Sequence, residues 1–352
     1  MSIEETIAQI RPLDEEAMKQ ATERQDFLTK PPGSLGVLEE LSIRVAGIKG
    51  TVRPEIQRKV IFTMAGDHGV TDEGVSAYPK EVTPQMVFNF IAGGAGINVL
   101  ARHVGAEVIV VDMGVAYDFE PNSKLVDKKI AKGTKNMAKG PAMSRDEALR
   151  AIEAGIDVFE QAFAKRPIDI AGIGDMGIGN TTPSSAIVAA ISGKEVREVT
   201  GRGTGINGQV FENKVNVIER ALEINKPSRG DPIDVLAKVG GFEIGGLAGV
   251  CLAAAARRTP IIIDGFIATA GALIAGEIAP QARDYMMAAH KSVEAGHDTM
   301  LERLGLRPLM DLDLRLGEGT GAALGISIVE AGVRILNEMA TFAEAEVSER
   351  EE

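Results

Sequence analysis

Four short runs along the chain are apolar without alternating: KVIFTMAG at 59–66, EVIVVDMG at 107–114, IDIAGIG at 168–174 and PIIIDG at 260–265. Runs of this kind, rich in Val and Ile, predict strands buried on both faces of a parallel sheet. Between them the apolar positions shift to helical spacing, and several helix starts are written in the sequence. Thr83-Pro84, Thr182-Pro183 and Asp231-Pro232 each set a capping residue before a proline suited to a first turn. Ser144 and Glu147 form a capping box ahead of ALRAIEAGIDVFEQAF. Strand–helix alternation predicts an α/β fold, with an open, mostly parallel sheet flanked by helices. The two ends of the chain carry helical patterns and no evident strand. The expected division is a large α/β domain over 60–290 and a smaller helical domain from 1–59 plus 291–352.

Composition narrows the partners. The net charge is −12, tryptophan is absent, and no stretch is dense in Lys or Arg, which argues against nucleic acid. Cys251 is the single cysteine, so no disulfide forms within the chain; a reducing compartment and a plain core role are expected. The acidic N-terminus lacks the apolar segment of a signal peptide. The most apolar stretches, 244–256 and 260–280, are short or broken by Asp264 and Glu277, so no membrane span is expected. A cytoplasmic protein is the expectation.

Candidate chemistry gathers where the strands end. Asp67, Asp112, Asp175 and Asp264 each close a strand beside a glycine, and open α/β sheets bind ligands beyond the carboxyl ends of their strands. Two of the four are expected to be plain turn residues. Gly172, Gly174 and Gly177 spell G-x-G-x-x-G, with Glu195 about 20 residues on, the Rossmann-like dinucleotide pattern. Here Asn180-Thr181-Thr182-Pro183 delays the helix, and Glu195 sits in a polar segment. A dinucleotide-dependent oxidoreductase and a non-catalytic nucleotide-binding protein remain the rival readings.

Glycine-rich backbone before a helix start also makes an anion site, and the chain offers it three times: GIGNTTP at 177–183, GRGTGI at 201–206 and GEGTGA at 317–322. The last two share the frame G-x-G-T-G, one with Arg202 and the other with Glu318. Arg202 and the nearby Lys214 suit a phosphate; Glu318 suits an acid or base. Two ordinary glycine turns are the plain alternative. Of the four histidines, His68 is expected near the site, and His290 and His297 as a surface pair. None has metal-ligand spacing. IIIDGFIATAG at 261–271 faintly suggests a diphosphate-ribose loop but lacks its second carboxylate.

Several long segments carry a more specific resemblance. TMAGDHGVTDEGVSAYPKEVTPQMV (63–87), GDMGIGNTTPSSA (174–186), GRGTGI, RLGEGTGAAL (315–324) and LTKPPGSLGVLEEL near the N-terminus resemble the nicotinate-nucleotide–dimethylbenzimidazole phosphoribosyltransferases over nearly the whole chain. The resemblance implies a homodimer, and transfer of phosphoribose from nicotinate mononucleotide to a benzimidazole-type base without metal or cofactor. It implies Glu318 as general base, with Asp175 as a second acid–base or ribose-contacting group. Many relatives have Glu where this chain has Asp175, which has the same charge and less reach. The implied phosphate cradle is Gly177, Asn180, Thr181, Gly203, Gly205 and Lys214, joined by Arg202. The implied base pocket includes Tyr78, Gln85 and Leu316. A pyridinium that leaves as neutral nicotinate ring nitrogen needs no magnesium. The dipole of the helix expected near Thr320 should keep Glu318 ionised.

Overall fold

The computed structural model describes residues 1–203 and 205–348. The four expected strands form, as β1 (Lys59–Gly66), β2 (Ala106–Gly114), β4 (Ile170–Met176) and β5 (Ile261–Ile263). Two three-residue edge strands that the sequence did not announce complete the sheet, β3 (Leu125–Asp127) and β6 (Met286–Ala288). The order is β3-β2-β1-β4-β5-β6, and every neighbouring pair is parallel. The chain builds outward from β1 in one direction and from β4 in the other. The crevice beyond the carboxyl ends of β1 and β4 is therefore the place where such a sheet receives a ligand.

Both faces are covered, which explains strands without alternation. Ile61 lies within contact range of Gly172 and Gly319, on the side of helix Thr320–Glu338. Its neighbour Phe62 points the other way, to Phe159 of helix Arg145–Lys165, with ring centroids 5.6 Å apart. Helix Phe242–Ala256 fills the layer between that helix and the sheet, apolar except for Glu243 and buried along nearly its whole length. Cys251 is buried within it, and burial pushes its thiol far up. No helix among the described residues is long and apolar enough to cross a membrane.

The capping signals are realised in part. Ser144 and Glu147 make the box, and Asp231 caps helix Pro232–Val239 with proline in its first turn. Thr83 is not a cap: it lies inside helix Val82–Ala92, and its hydroxyl accepts the Ile178 N–H at 3.1 Å. Thr182 likewise sits inside helix Thr181–Ser192, one residue after its first. Both threonines are buried; for Thr83 a tertiary hydrogen bond replaces the cap, and the Thr182 hydroxyl has no hydrogen-bond partner among the described residues.

The chain ends meet. Ala21, Ala46 and Leu336 form a small core of their own, and Arg24 Nε donates to the Leu336 carbonyl at 2.8 Å. The other end of helix Thr320–Glu338 packs against β1, β4 and β5. Its first turn thereby reaches the crevice.

Candidate active site

A cavity of about 470 Å³ opens beyond β4 and β5, bordered by Asp175, Gly177, Gly265 and Glu318. Glu318 reaches it because the loop before helix Thr320–Glu338 is fixed to the sheet. The Glu318 carbonyl accepts from Thr63 Oγ1 at 2.9 Å, and its N–H donates to the Asp175 carbonyl at 3.1 Å. Asp264 takes the N–H groups of Gly319, Gly321 and Ala322 at 3.0, 2.6 and 3.1 Å. Gly174 has no side chain for the same reason: a Cβ there would stand 2.1 Å from the Gly319 nitrogen. Two glycines of the dinucleotide-like pattern thus lie inside β4: Gly174 makes room for the Glu318 loop, and Gly172 faces Ala322 and Ile326 of helix Thr320–Glu338. Glu195 is exposed ahead of the short helix Val196–Val199. In the dinucleotide fold those glycines would sit in the turn after a strand, with backbone free for a pyrophosphate.

The Glu318 carboxylate is buried, and Oε2 accepts the Ile97 N–H at 3.0 Å. The helix start that serves it is therefore that of Gly96–Val104, not its own. The expected net effect is reversed: burial outweighs these backbone hydrogen bonds and raises the Glu318 carboxyl above its ordinary range, with Asp264 adding to the rise. Asp175 is shifted further. Burial first, then the charges of Asp264 and Glu243, push it well above the carboxylate range; Asn180 Nδ2 donates to its Oδ2 at 2.9 Å and offsets part of this. The arrangement offers one carboxylate with its pKa raised by burial and a second carboxyl pushed further, toward its neutral form.

Across the cavity, Gly177, Asn180 and Thr181 lead into helix Thr181–Ser192, and Gly203 lies beside them. Lys214 is fully buried and donates to Thr181 Oγ1 at 2.8 Å and to the Gly201 carbonyl at 3.2 Å. Burial lowers its pKa to about 8. Gly203 N–H is already engaged, by Glu294 Oε1 at 2.8 Å.

The chain matches the family model DBI_PRT, phosphoribosyltransferase, over residues 10–347. It belongs to that phosphoribosyltransferase family. It is 60% identical to the nicotinate-nucleotide–dimethylbenzimidazole phosphoribosyltransferase of Geobacter sp. (strain M21), over 98% of this chain and 99% of that one. It is 59% identical to the enzyme of the same name from Chloroflexus aggregans, over 99% of this chain and 98% of that one. The crystal structure of the Thermus thermophilus enzyme of that name superposes with a TM-score of 0.91 at 46% identity, covering 96% of this chain and 100% of that one.

The phosphoribosyltransferase fold gathers Glu318, Asp175, Gly177, Asn180, Thr181, Gly203, Tyr78 and Leu316 around one cavity. Lys214 stands one side chain behind it, through Thr181. Three more expected residues do not line it. Gln85 is exposed, and the same helix presents Val82 and Met86, one turn apart, instead. Arg202 is exposed, its Nη1 3.5 Å from the Ile206 carbonyl, and the cavity has Arg315 in its place. Gly205 is exposed with nothing near its Cβ position, and Thr204 lies outside the described residues. Of the four strand-end carboxylates only Asp175 lines the cavity: Asp67 and Asp112 accept N–H groups of Ala116, Gly114 and Val115, and Asp264 holds the Glu318 loop.

The histidine expectations need correcting. His290 and His297 are both buried, and His290 lines the cavity 3.6 Å from Asp264. His290 packs against Gly321, in the first turn of the helix after Glu318. His297, the first residue of helix His297–Leu304, is hydrogen-bonded to Thr269 Oγ1 and to the Ser292 N–H at 2.9 Å each. His68 is near the site as expected, not in the lining but behind Gly177, whose Cβ position lies 3.3 Å from its Nε2, and it is buried against Glu243 at 2.8 Å. Glu294, Ser292 and Arg315 were missed; the signal for the first two was two histidines and a carboxylate crowded into HKSVEAGH beside the apolar β6, and Arg315 opens the segment RLGEGTGAAL. Among the described residues no group of three or more His, Cys, Asp or Glu side chains is placed to hold a metal ion.

Proposed function

We propose that this chain transfers phosphoribose from nicotinate mononucleotide to dimethylbenzimidazole or a related base, giving α-ribazole phosphate and nicotinate, in assembly of the cobalamin nucleotide loop. The full-length likeness to enzymes of that name supports the reaction. The observation that carries the site reading is a buried carboxylate, Glu318, raised in pKa and facing a cavity that a helix start enters from the other side. One benzimidazole nitrogen attacks the anomeric carbon of the ribose. The bond from that carbon to the pyridinium nitrogen breaks, and its electron pair returns to the ring, which leaves as nicotinate. The other benzimidazole nitrogen loses its proton to Glu318 as the ring becomes cationic. A raised pKa makes Glu318 the stronger base for that step.

In this reading Asp175, held toward its neutral form, donates a hydrogen bond to the ribose or to the departing group. Gly177, Asn180, Thr181 and Gly203 hold the phosphate, with Lys214 and Arg315 supplying positive charge. Tyr78, Leu316, Val82 and Met86 flank the flat base. A homodimer, a cytoplasmic location and the division into 60–290 and 1–59 with 291–352 belong to the same proposal. The small separate core of Ala21, Ala46 and Leu336 supports the division.

The test is mass-spectrometric analysis after mixing the protein with nicotinate mononucleotide and a panel of bases. The reading expects nicotinate and a base riboside phosphate. Donor binding without nicotinate release would leave a binding protein instead.

A further inference from the structure

A carboxylate already sits where the donor's phosphate is expected. Glu294 borders the cavity beside Gly203 and Thr181, and its Oε1 accepts the Gly203 N–H at 2.8 Å. Oε2 is buried without a hydrogen-bond partner among the described residues. A Cβ on Gly201 would lie 1.9 Å from Oε2, so Gly201 is bare because this carboxylate fills the space a side chain would need. The cations facing it are Lys214, from helix Gly208–Asn225, and Arg315, from the segment before Glu318. A backbone N–H donates to this buried anion, while the lysine and the arginine act on it through their field, with no ion pair to it among the described residues. The three together are donors suited to a phosphate monoester. Burial costs that anion, and its pKa is raised despite both cations.

We infer that Glu294 is an internal stand-in for the donor's phosphate, holding the Gly203 N–H and the field of Lys214 until a phosphate displaces it. The inference rests on the phosphoribosyl-donor reading given above. It makes Glu294 a specificity-determining residue. A neutral nucleoside gains nothing by the exchange, and a single carboxylate gains little. A phosphate monoester brings more charge and more acceptor oxygens, so it alone profits from displacing Glu294. The donor's affinity is correspondingly lower than that of a free cradle.

The test is calorimetric titration of inorganic phosphate and, separately, of nicotinate mononucleotide into wild-type and Glu294→Gln protein near neutral pH, where Lys214 keeps its charge. The amide can still accept from Gly203, so the packing is retained. Removing a like charge at contact range should tighten phosphate binding on the order of tenfold. Equal or weaker binding by the folded variant overturns the inference, as does failure of both proteins to bind phosphate. Nicotinate release is measured in the same samples. If phosphate binding tightens and neither protein releases nicotinate, the transfer reading fails and the anion exchange stands. Should Glu294→Gln not fold, the wild-type protein crystallised with inorganic phosphate decides. Glu294 drawn off the Gly203 nitrogen supports the exchange, and Glu294 still bonded there with phosphate present overturns it.

Discussion

The chain uses the frame G-x-G-T-G twice, at 201–205 and at 317–321, and the two copies are held in opposite ways. The later copy is fixed from three sides: Asp264 gathers its N–H groups, Thr63 holds its carbonyl, and Gly174 leaves room for its backbone against β4. The earlier copy is held by charged side chains in place of a fixed backbone frame, with Lys214 donating to the Gly201 carbonyl. Gly205 has open space about it, and Gly203 is held by the Glu294 carboxylate, itself a charge that burial disfavours. The same glycine spacing therefore serves two ends. A group that must meet reacting atoms within a fraction of an ångström belongs on the rigid copy. A cradle that must open for an anion belongs on the other.

The largest effect should come from the rigid copy's one carboxylate. Glu318→Gln is expected to fold, since it removes a charge that burial disfavours, and to lose rate on the order of 10²–10⁴-fold. In the wild-type protein kcat should fall as pH drops through the raised Glu318 pKa, because the ionised form is the base. That acid limb lies above the ordinary value of 4.5 and should be absent from the residual activity of Glu318→Gln. A pH–rate profile of each protein checks both points.

Next in size is Gly174→Ala. Its Cβ would stand 2.1 Å from the Gly319 nitrogen, backbone that cannot give way without moving Glu318. Thermal unfolding should show a loss of about 1–3 kcal/mol. A loop displaced by about 1 Å should lower kcat on the order of 10²-fold. A variant of wild-type activity would show that the loop is not held by this contact.

The looser copy should answer differently. Lys214 has its pKa lowered to about 8, so its charge is present below that pH and lost above it. KM for nicotinate mononucleotide should rise as pH climbs through this region, and the rise should vanish in Lys214→Ala. The smallest effect is expected from Gly205→Ala, whose backbone is left-handed with φ +92° but whose surroundings are open. A cost of about 1 kcal/mol by thermal unfolding, with kcat nearly unchanged, is the expected outcome.

How legible this was in the sequence depended on length and local pattern. The four apolar runs marked β1, β2, β4 and β5, because residues buried on both faces carry their own signature, and did so even for β5, of which only Ile261–Ile263 pairs. LVD and MMA, which became β3 and β6, are three residues long and owe their state to the neighbour they pair with. Glu318 and Asp175 were legible because glycines bracketed them. The reason for those glycines was not: Gly174 answers to Gly319, more than a hundred residues away, and no local pattern records a contact of that range. Gln85 failed by one helical position, for only the packing of Val82–Ala92 fixes which side faces the cavity. Glu294 was illegible because its partners, Gly203 and Lys214, come from a distant loop and helix.

The division of labour between the two glycine frames is tested most directly by steady-state kinetics of Glu318→Gln and Lys214→Ala measured side by side, with nicotinate mononucleotide varied at saturating dimethylbenzimidazole. A fixed catalytic loop and a yielding phosphate cradle predict that Glu318→Gln loses kcat with KM nearly kept, while Lys214→Ala raises KM more than it lowers kcat. A kcat collapse with unchanged KM in Lys214→Ala, or near-normal turnover by folded Glu318→Gln, would contradict it.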